Sequence, residues 1–115
     1  MSVITEVESL LTTVSNLYSG DMPATPDNCV CIYNTGGYRK SLSGTEVEEP
    51  TFMVKVRHTS YDTGLALCNT IIGLLHGSKT TKMLMIEAQS GILDLGKDES
   101  NRFEWSINFR SYYRI

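Results

Sequence analysis

Residues 50–77, PTFMVKVRHTSYDTGLALCNTIIGLLHG, constrain the fold more than any other stretch, because they read as a strand, a tight turn and a helix in immediate succession. Phe52, Val54 and Val56 alternate with Met53, Lys55 and Arg57, the period-two pattern of a strand with one buried and one open face. Ser60 stands where an N-cap belongs, and Asp62 falls in the first turn, where a carboxylate suits the positive end of the helix dipole. Leu65, Cys68, Ile71, Ile72 and Leu75 share one helical face, and Gly77 follows directly as a left-handed C-cap residue should. No catalytic signature lies inside this unit, which reads as scaffold.

The remaining elements are placed around it. Val3, Ile4, Val7, Leu10, Leu11, Val14, Leu17 and Tyr18 recur at three- and four-residue steps and predict a first amphipathic helix, capped by Ser2 and ended by Gly20. Pro23 and Pro26 make residues 21–27 an extended connector. Residues 28–34 read as a strand, with Val30 and Ile32 on one face and Cys29, Cys31 and Tyr33 on the other. Residues 82–88 read as another, alternating Leu84 and Ile86 with Met83, Met85 and Glu87. The last strand is the clearest: Phe103, Trp105, Ile107 and Phe109 alternate with polar residues, and the pattern continues toward Tyr113. Between these elements lie two long loops, 35–50 and 89–101, and loops beyond about 12–15 residues are uncommon in compact domains unless they carry function or move.

The expected fold is a single α+β domain over residues 1–115, in the order α-β-β-α-β-β. Two helices pack on one face of a mostly antiparallel sheet of about four strands. The other face presents Met53, Lys55, Arg57, Met83, Met85, Glu87, Arg102, Glu104, Asn108 and Arg110, a mixture that fits either a solvated face or a wet subunit interface. A formal charge of -3 with scattered basic residues argues against a protein that grips many phosphates. Three cysteines, an odd number with no signal peptide ahead of them, argue against a disulfide framework and for a reducing compartment. The apolar runs are far shorter than the roughly 20 residues that span a bilayer, so no membrane role is expected.

Candidate chemical sites are thin. Cys29 and Cys31 lack a second pair or a histidine at metal spacing, so packing cysteines are favoured over zinc ligands. His58 and His76 have no partner in a nucleophile arrangement, and His76 suits the helix C-terminal carbonyls. Residues 77–80, GSKT, resemble a phosphate loop only superficially, since they run from helix to strand and lack the full spacing. Asp94, Asp98 and Glu99 do not match calcium-loop spacing. No catalytic residue, metal site or cofactor is expected, a profile that favours assembly or binding over catalysis.

Three stretches carry a family resemblance: PDNCVCIYNTGG (residues 26–37), MVKVRHTSYDTGLALCNTIIGLLHG (53–77) and IEAQSGILDLGKDESNRFEWSINFRSYYR (86–114). Together, in this order and spacing, they resemble the small bacteriophage minor capsid proteins of the tail terminator type, over residues 21–114. The resemblance implies a structural virion protein at the head-tail junction, assembled in the host cytoplasm. Such proteins form rings, commonly hexamers, on the head-proximal end of the tail tube, end its polymerisation and join tail to head. The implied partners are further copies of the chain, the tail tube protein and the head connector, with DNA only as passing cargo. The two long loops are the expected contact regions, through Tyr38, Arg39, Lys40, Glu46, Glu48 and Glu49 in one and Ile92, Leu93, Leu95 and Lys97 in the other. Glu46, Glu48 and Glu49 would also suit the wall of a DNA channel, although an ordinary solvated loop is the favoured reading. Two alternatives stay open: a head-completion protein docking on the portal side, and a small cytoplasmic enzyme or ligand-binding domain using His58, Cys68 or the acidic loop.

Overall fold

Facing residues on the long strands set the architecture. The computed structural model describes residues 3–39, 47–80 and 83–114. The chain runs α1 (Val3–Leu10), β1 (Leu17–Ser19), β2 (Cys29–Arg39), β3 (Val47–His58), α2 (Tyr61–Leu75), β4 (Met83–Ala88), β5 (Leu93–Lys97) and β6 (Phe103–Arg114). Val30 lies opposite Val56 and Ile32 opposite Val54, while Val56, Val54 and Phe52 lie opposite Trp105, Ile107 and Phe109. Period-two patterning in three neighbouring strands thus falls in register and makes one continuous apolar face. Val7 and Leu11 from the first helical segment, and Cys68, Ile71 and Leu75 from α2, close over it, and all these side chains are fully buried. Each large one contributes about 1.5–3 kcal/mol relative to exposure. Phe52 and Phe109 stack with ring centroids 5.1 Å apart.

The sheet has six strands in the order β1-β2-β3-β6-β4, with β5 also on β6. β1 is parallel to β2, and every other pairing is antiparallel. The α+β class and the helices over one sheet face agree with expectation, whereas the element order gains two short strands and becomes α-β-β-β-α-β-β-β. The first arises because the expected long helix stops at Leu10. Thr12, Thr13 and Val14 are β-branched and poor helix formers, Asn16 takes a left-handed φ of 55°, and Leu17–Ser19 then pairs with Val30–Ile32. The expected Ser2 cap lies outside the described residues. The second is β5, in the middle of the segment read as a loop at 89–101. The segment read as a loop at 35–50 likewise belongs largely to β2 and β3, which reach Arg39 and start at Val47. A bulge at Thr35 hid the continuity: Gly36 has φ 96°, and its N–H donates to Asn34 Oδ1 at 2.8 Å.

α2 begins as its sequence requires, with Ser60 Oγ accepting from Thr63 N–H at 3.3 Å, and Gly77 takes a φ of 80° just past its end. His76 differs from expectation, because its Nδ1 accepts from Ala88 N–H at 2.9 Å and so ties the helix end to β4. Gly64 lets α2 approach the sheet: a Cβ there would lie 2.3 Å from the Trp105 ring.

Opposite the helices, the connector between β1 and β2 covers part of the face expected to be open. Arg57, 4% exposed, donates through Nε to Asp27 O at 3.1 Å and through Nη2 to the carbonyls of Pro23 and Pro26, both at 2.7 Å. Arg102 Nη1 donates to Ala24 O at 2.6 Å and Nε to Asp98 Oδ2 at 2.9 Å. Cys29 and Cys31 are buried on this face.

Candidate functional site

Strand β5 gathers three of the expected contact residues, Leu93, Leu95 and Lys97. Leu93 lies opposite Ser106, Asp94 opposite Trp105 and Lys97 opposite Phe103, with Leu95 as the extra residue of an irregularity between Asp94 and Gly96. Alternation therefore turns Asp94 and Lys97 to the helix side, where both find partners. Asp94 Oδ2 accepts from Tyr61 Oη–H at 2.9 Å, and Lys97 Nζ stands 5.1 Å from the centre of the Phe103 ring. The Asp94 carboxylate that accepts this hydrogen bond holds the Tyr61 phenol above its ordinary range. Tyr61 also meets Phe103 edge-on at 5.2 Å and Trp105 at 5.5 Å. Leu93 and Leu95 have no such cover and are 45% and 50% exposed, whereas Ile92 turns in and packs against the core.

At the other end of the sheet, β2 and β3 continue as an arm alongside the end of β6. Tyr38 pairs in register with Glu49 and Arg39 with Glu48, and Val47 lies opposite Arg114 of β6. Lys40 and Glu46 lie outside the described residues. Glu49 is 4% exposed, with Oε1 3.9 Å from Arg110 Nη1. The same guanidinium reaches the Gln89 amide oxygen from Nε and Nη2 at 3.1 Å each, and Tyr112 Oη–H donates to Glu87 at 3.2 Å. These contacts organise the helix-free face into a polar network whose charges are already partnered. β5 sits at the Phe103 end of β6 and the arm at its Arg114 end, so the two groups of expected contact residues lie at opposite ends of a molecule 49 Å long and 23 Å across.

The residues weighed for chemistry have structural roles. His58 Nδ1 accepts from Ser60 N–H at 2.9 Å. Cys68 sits in the core, where burial pushes its thiol up to about 12, and burial likewise raises Cys29 and Cys31, so none is a poised thiolate. Asp98 accepts from the N–H groups of Ser100 and Arg102, both at 2.9 Å, and from Arg102 Nε. The Arg102 N–H foremost holds its carboxyl below the ordinary range. Among the described residues no cluster of histidine, cysteine and acidic side chains is arranged to hold a metal ion, and no helix is long and apolar enough to cross a membrane.

Sequence reasoning missed Tyr61 as a surface residue and read β5 as loop. The signal for the strand was present in the Leu93-Asp94-Leu95 alternation ahead of Gly96. It also missed that Arg57 is bound to the connector, since nothing local in the sequence says which carbonyls a strand arginine meets.

The model of the family described as bacteriophage tail terminator protein matches residues 6–115 of this chain. No curated protein sequence matches it. Among solved structures, a chain of the virion of a native gene transfer agent (GTA) particle superposes with a TM-score of 0.70 at 11% identity, covering 95% of this chain and 84% of that one. At that identity the likeness is one of fold.

Proposed function

The chain belongs to the bacteriophage tail terminator protein family, and we propose that it forms a ring at the head-proximal end of the tail tube, ends tube polymerisation and joins the tail to the head. It is a structural virion protein and not an enzyme. The observation that carries the proposal is the family match, which takes in every strand of the sheet.

The physics required is modest. Two different surfaces at opposite ends of one subunit make a head-to-tail contact, and such a contact repeated through a rotation that closes gives a ring rather than an open filament. A ring that binds the last turn of the tube and offers no tube-like surface beyond it stops growth. Its partners are further copies of this chain, the tail tube protein and the head connector. DNA passes through as cargo, which a net formal charge of -3 does not retain. Its place is the head-tail junction, reached from the host cytoplasm.

Tail length tests this. Particles assembled without the protein should show overlong tubes that fail to join heads. Tails of normal length beside heads that leak DNA would overturn it in favour of a connector on the portal side. Light scattering on the purified protein, alone and with tail tubes, should show copies associating at least on the tube.

A further inference from the structure

An antiparallel sheet exposes unpaired N–H and C=O groups wherever a strand edge has no neighbour, and soluble proteins ordinarily cover or charge such edges. Among the described residues this sheet covers some of its edges and, apart from the three-residue β1, leaves two without a neighbouring strand, although Gly36 N–H already donates to Asn34 Oδ1 at 2.8 Å and Gly96 N–H to Asp94 Oδ1 at 2.9 Å. β4 is closed on its outer side, because Gly77 N–H donates to Ile86 O at 2.7 Å, Ile86 N–H to Ser78 O at 3.0 Å and Ala88 N–H to His76. β1 covers β2 only from Val30 to Ile32. Beyond that, residues 34–39 of β2 pair with β3 alone, and β5 pairs with β6 alone.

β5 is the less protected of the two. It contains no proline, every residue in it is exposed, and both its charged side chains are drawn to the helix side by Tyr61 and Phe103. What remains beside the bare edge is Leu93 and Leu95. On the other edge, Gly36 and Gly37 leave the main chain of β2 open to close approach.

We propose that β5 of one copy adds antiparallel to the outer edge of β2, at residues 34–39, of the next copy. Subunits then join head to tail through a continuous sheet. The occupant follows from four observations. The two bare edges lie on opposite sides of the sheet, so a second copy placed beside the first brings one to the other. They are of similar length. Their directions agree: β5 is antiparallel to β6, β6 to β3 and β3 to β2, so a copy that continues the sheet in the same sense presents β2 antiparallel to β5. They also lie at opposite ends of a 49 Å molecule, so neither is satisfied within one chain and the contact repeats with a stagger. Main-chain pairing supplies affinity, and Leu93 and Leu95 supply apolar burial. The inference rests on the reading that copies assemble into a ring, and it names the surface that does so.

The experiment uses the full chain carrying Leu95→Cys and Tyr38→Cys, incubated with tail tubes and a thiol linker spanning roughly two strand spacings, about 10 Å. The native cysteines are buried and do not compete. Covalent multimers beyond the dimer are expected from the double variant and none from either single variant. A ladder from one single variant, or rings visible by electron microscopy with no ladder from the double variant, overturns edge pairing and leaves the ring reading standing. Absence of any copy-to-copy association on tubes overturns both. A second variant, Leu93→Lys with Leu95→Lys, changes only exposed side chains. It should melt like the parent yet occupy tube ends roughly tenfold less. Unchanged occupancy overturns the proposal.

Discussion

Replacing Gly64 with alanine isolates the contact that seats α2 on the sheet. A methyl group there would sit 2.3 and 2.4 Å from Cζ3 and Cη2 of Trp105 and 2.9 Å from Cβ of His58, where ordinary contact is about 3.5–4.0 Å. The ring has little room to retreat, because Trp105 is fully buried, with Tyr61 and Phe103 at 5.5 and 6.2 Å between centroids. Overpacking of a core costs about 1–3 kcal/mol, and a rigid ring with an overlap above 1 Å belongs near the top of that range. Alanine recovers about 1 kcal/mol through helix propensity, leaving a net loss of about 2 kcal/mol. A 115-residue chain has an unfolding entropy of about 0.24 kcal/mol/K, so Tm should fall by about 8 °C. Gly73→Ala on the same helix is the control. It has nothing within 4 Å, gains the same propensity without the clash, and should raise Tm by about 4 °C. Trp105 is the sole tryptophan, so its emission reports the site directly during a thermal melt. A Gly64→Ala protein melting at or above the parent temperature would refute the packing argument.

Other perturbations separate the forces elsewhere. Arg57→Met removes the donor that holds the carbonyls of residues 23–27 and should cost about 2–4 kcal/mol in urea unfolding while speeding proteolysis of the connector. Arg57→Lys should not restore it, since an ammonium lacks the planar fork. For Cys68 the folded thiol is pushed from 9.0 up to about 12, so its contribution to stability is complete below pH 9 and is lost as pH rises toward 12. Cys68→Ala should therefore flatten the alkaline decline of Tm, and an unchanged slope would show that the thiol ionises alike in the folded and unfolded states. Copy-to-copy assembly on tubes should survive roughly 1 M salt, where the Debye length is about 3 Å. Dissociation there would point to ion pairs rather than main-chain pairing.

Much of the fold was legible because its strongest signals are local. Residues 52–56 and 103–109 alternate cleanly, and Ser60 and Gly77 bracket α2 at both ends. The errors lie where tertiary context overrides a local pattern. Leu17 and Tyr18 keep the apolar spacing of a helix, yet the left-handed Asn16 breaks it and the edge of β2 captures them. β2 reads as ending at Asn34 because Thr35-Gly36-Gly37 looks like a turn, whereas one bulged residue re-aims the strand and lets it run on to Arg39. Of the expected contact residues, those in β5 are brought together on one strand, while Glu49 is drawn into the sheet by Arg110. No sequence pattern reveals that a glutamate on an arm will face an arginine on β6.

The two segments that looked too long to be loops have one physical explanation. A compact chain of this size rarely leaves a dozen residues without hydrogen-bonded structure, so an apparent long loop commonly contains a strand whose partner is inconspicuous. Here those strands are β5 and the arm of β2, each of which has a neighbouring strand on one side only. For an isolated monomer a bare edge flanked by exposed leucines is a liability. For a subunit, the consequence depends on where the second bare edge lies. Two equivalent edges at one end pair isologously and stop at a dimer, whereas different edges at opposite ends pair repeatedly until rotation closes the series. Charge does not oppose that closure, because a formal -3 spread over 49 Å acts through a Debye length of about 8 Å at physiological salt. On the proposed pairing, the geometry of the sheet edges sets the number of copies, and a closed ring leaves no edge on which lateral growth can continue.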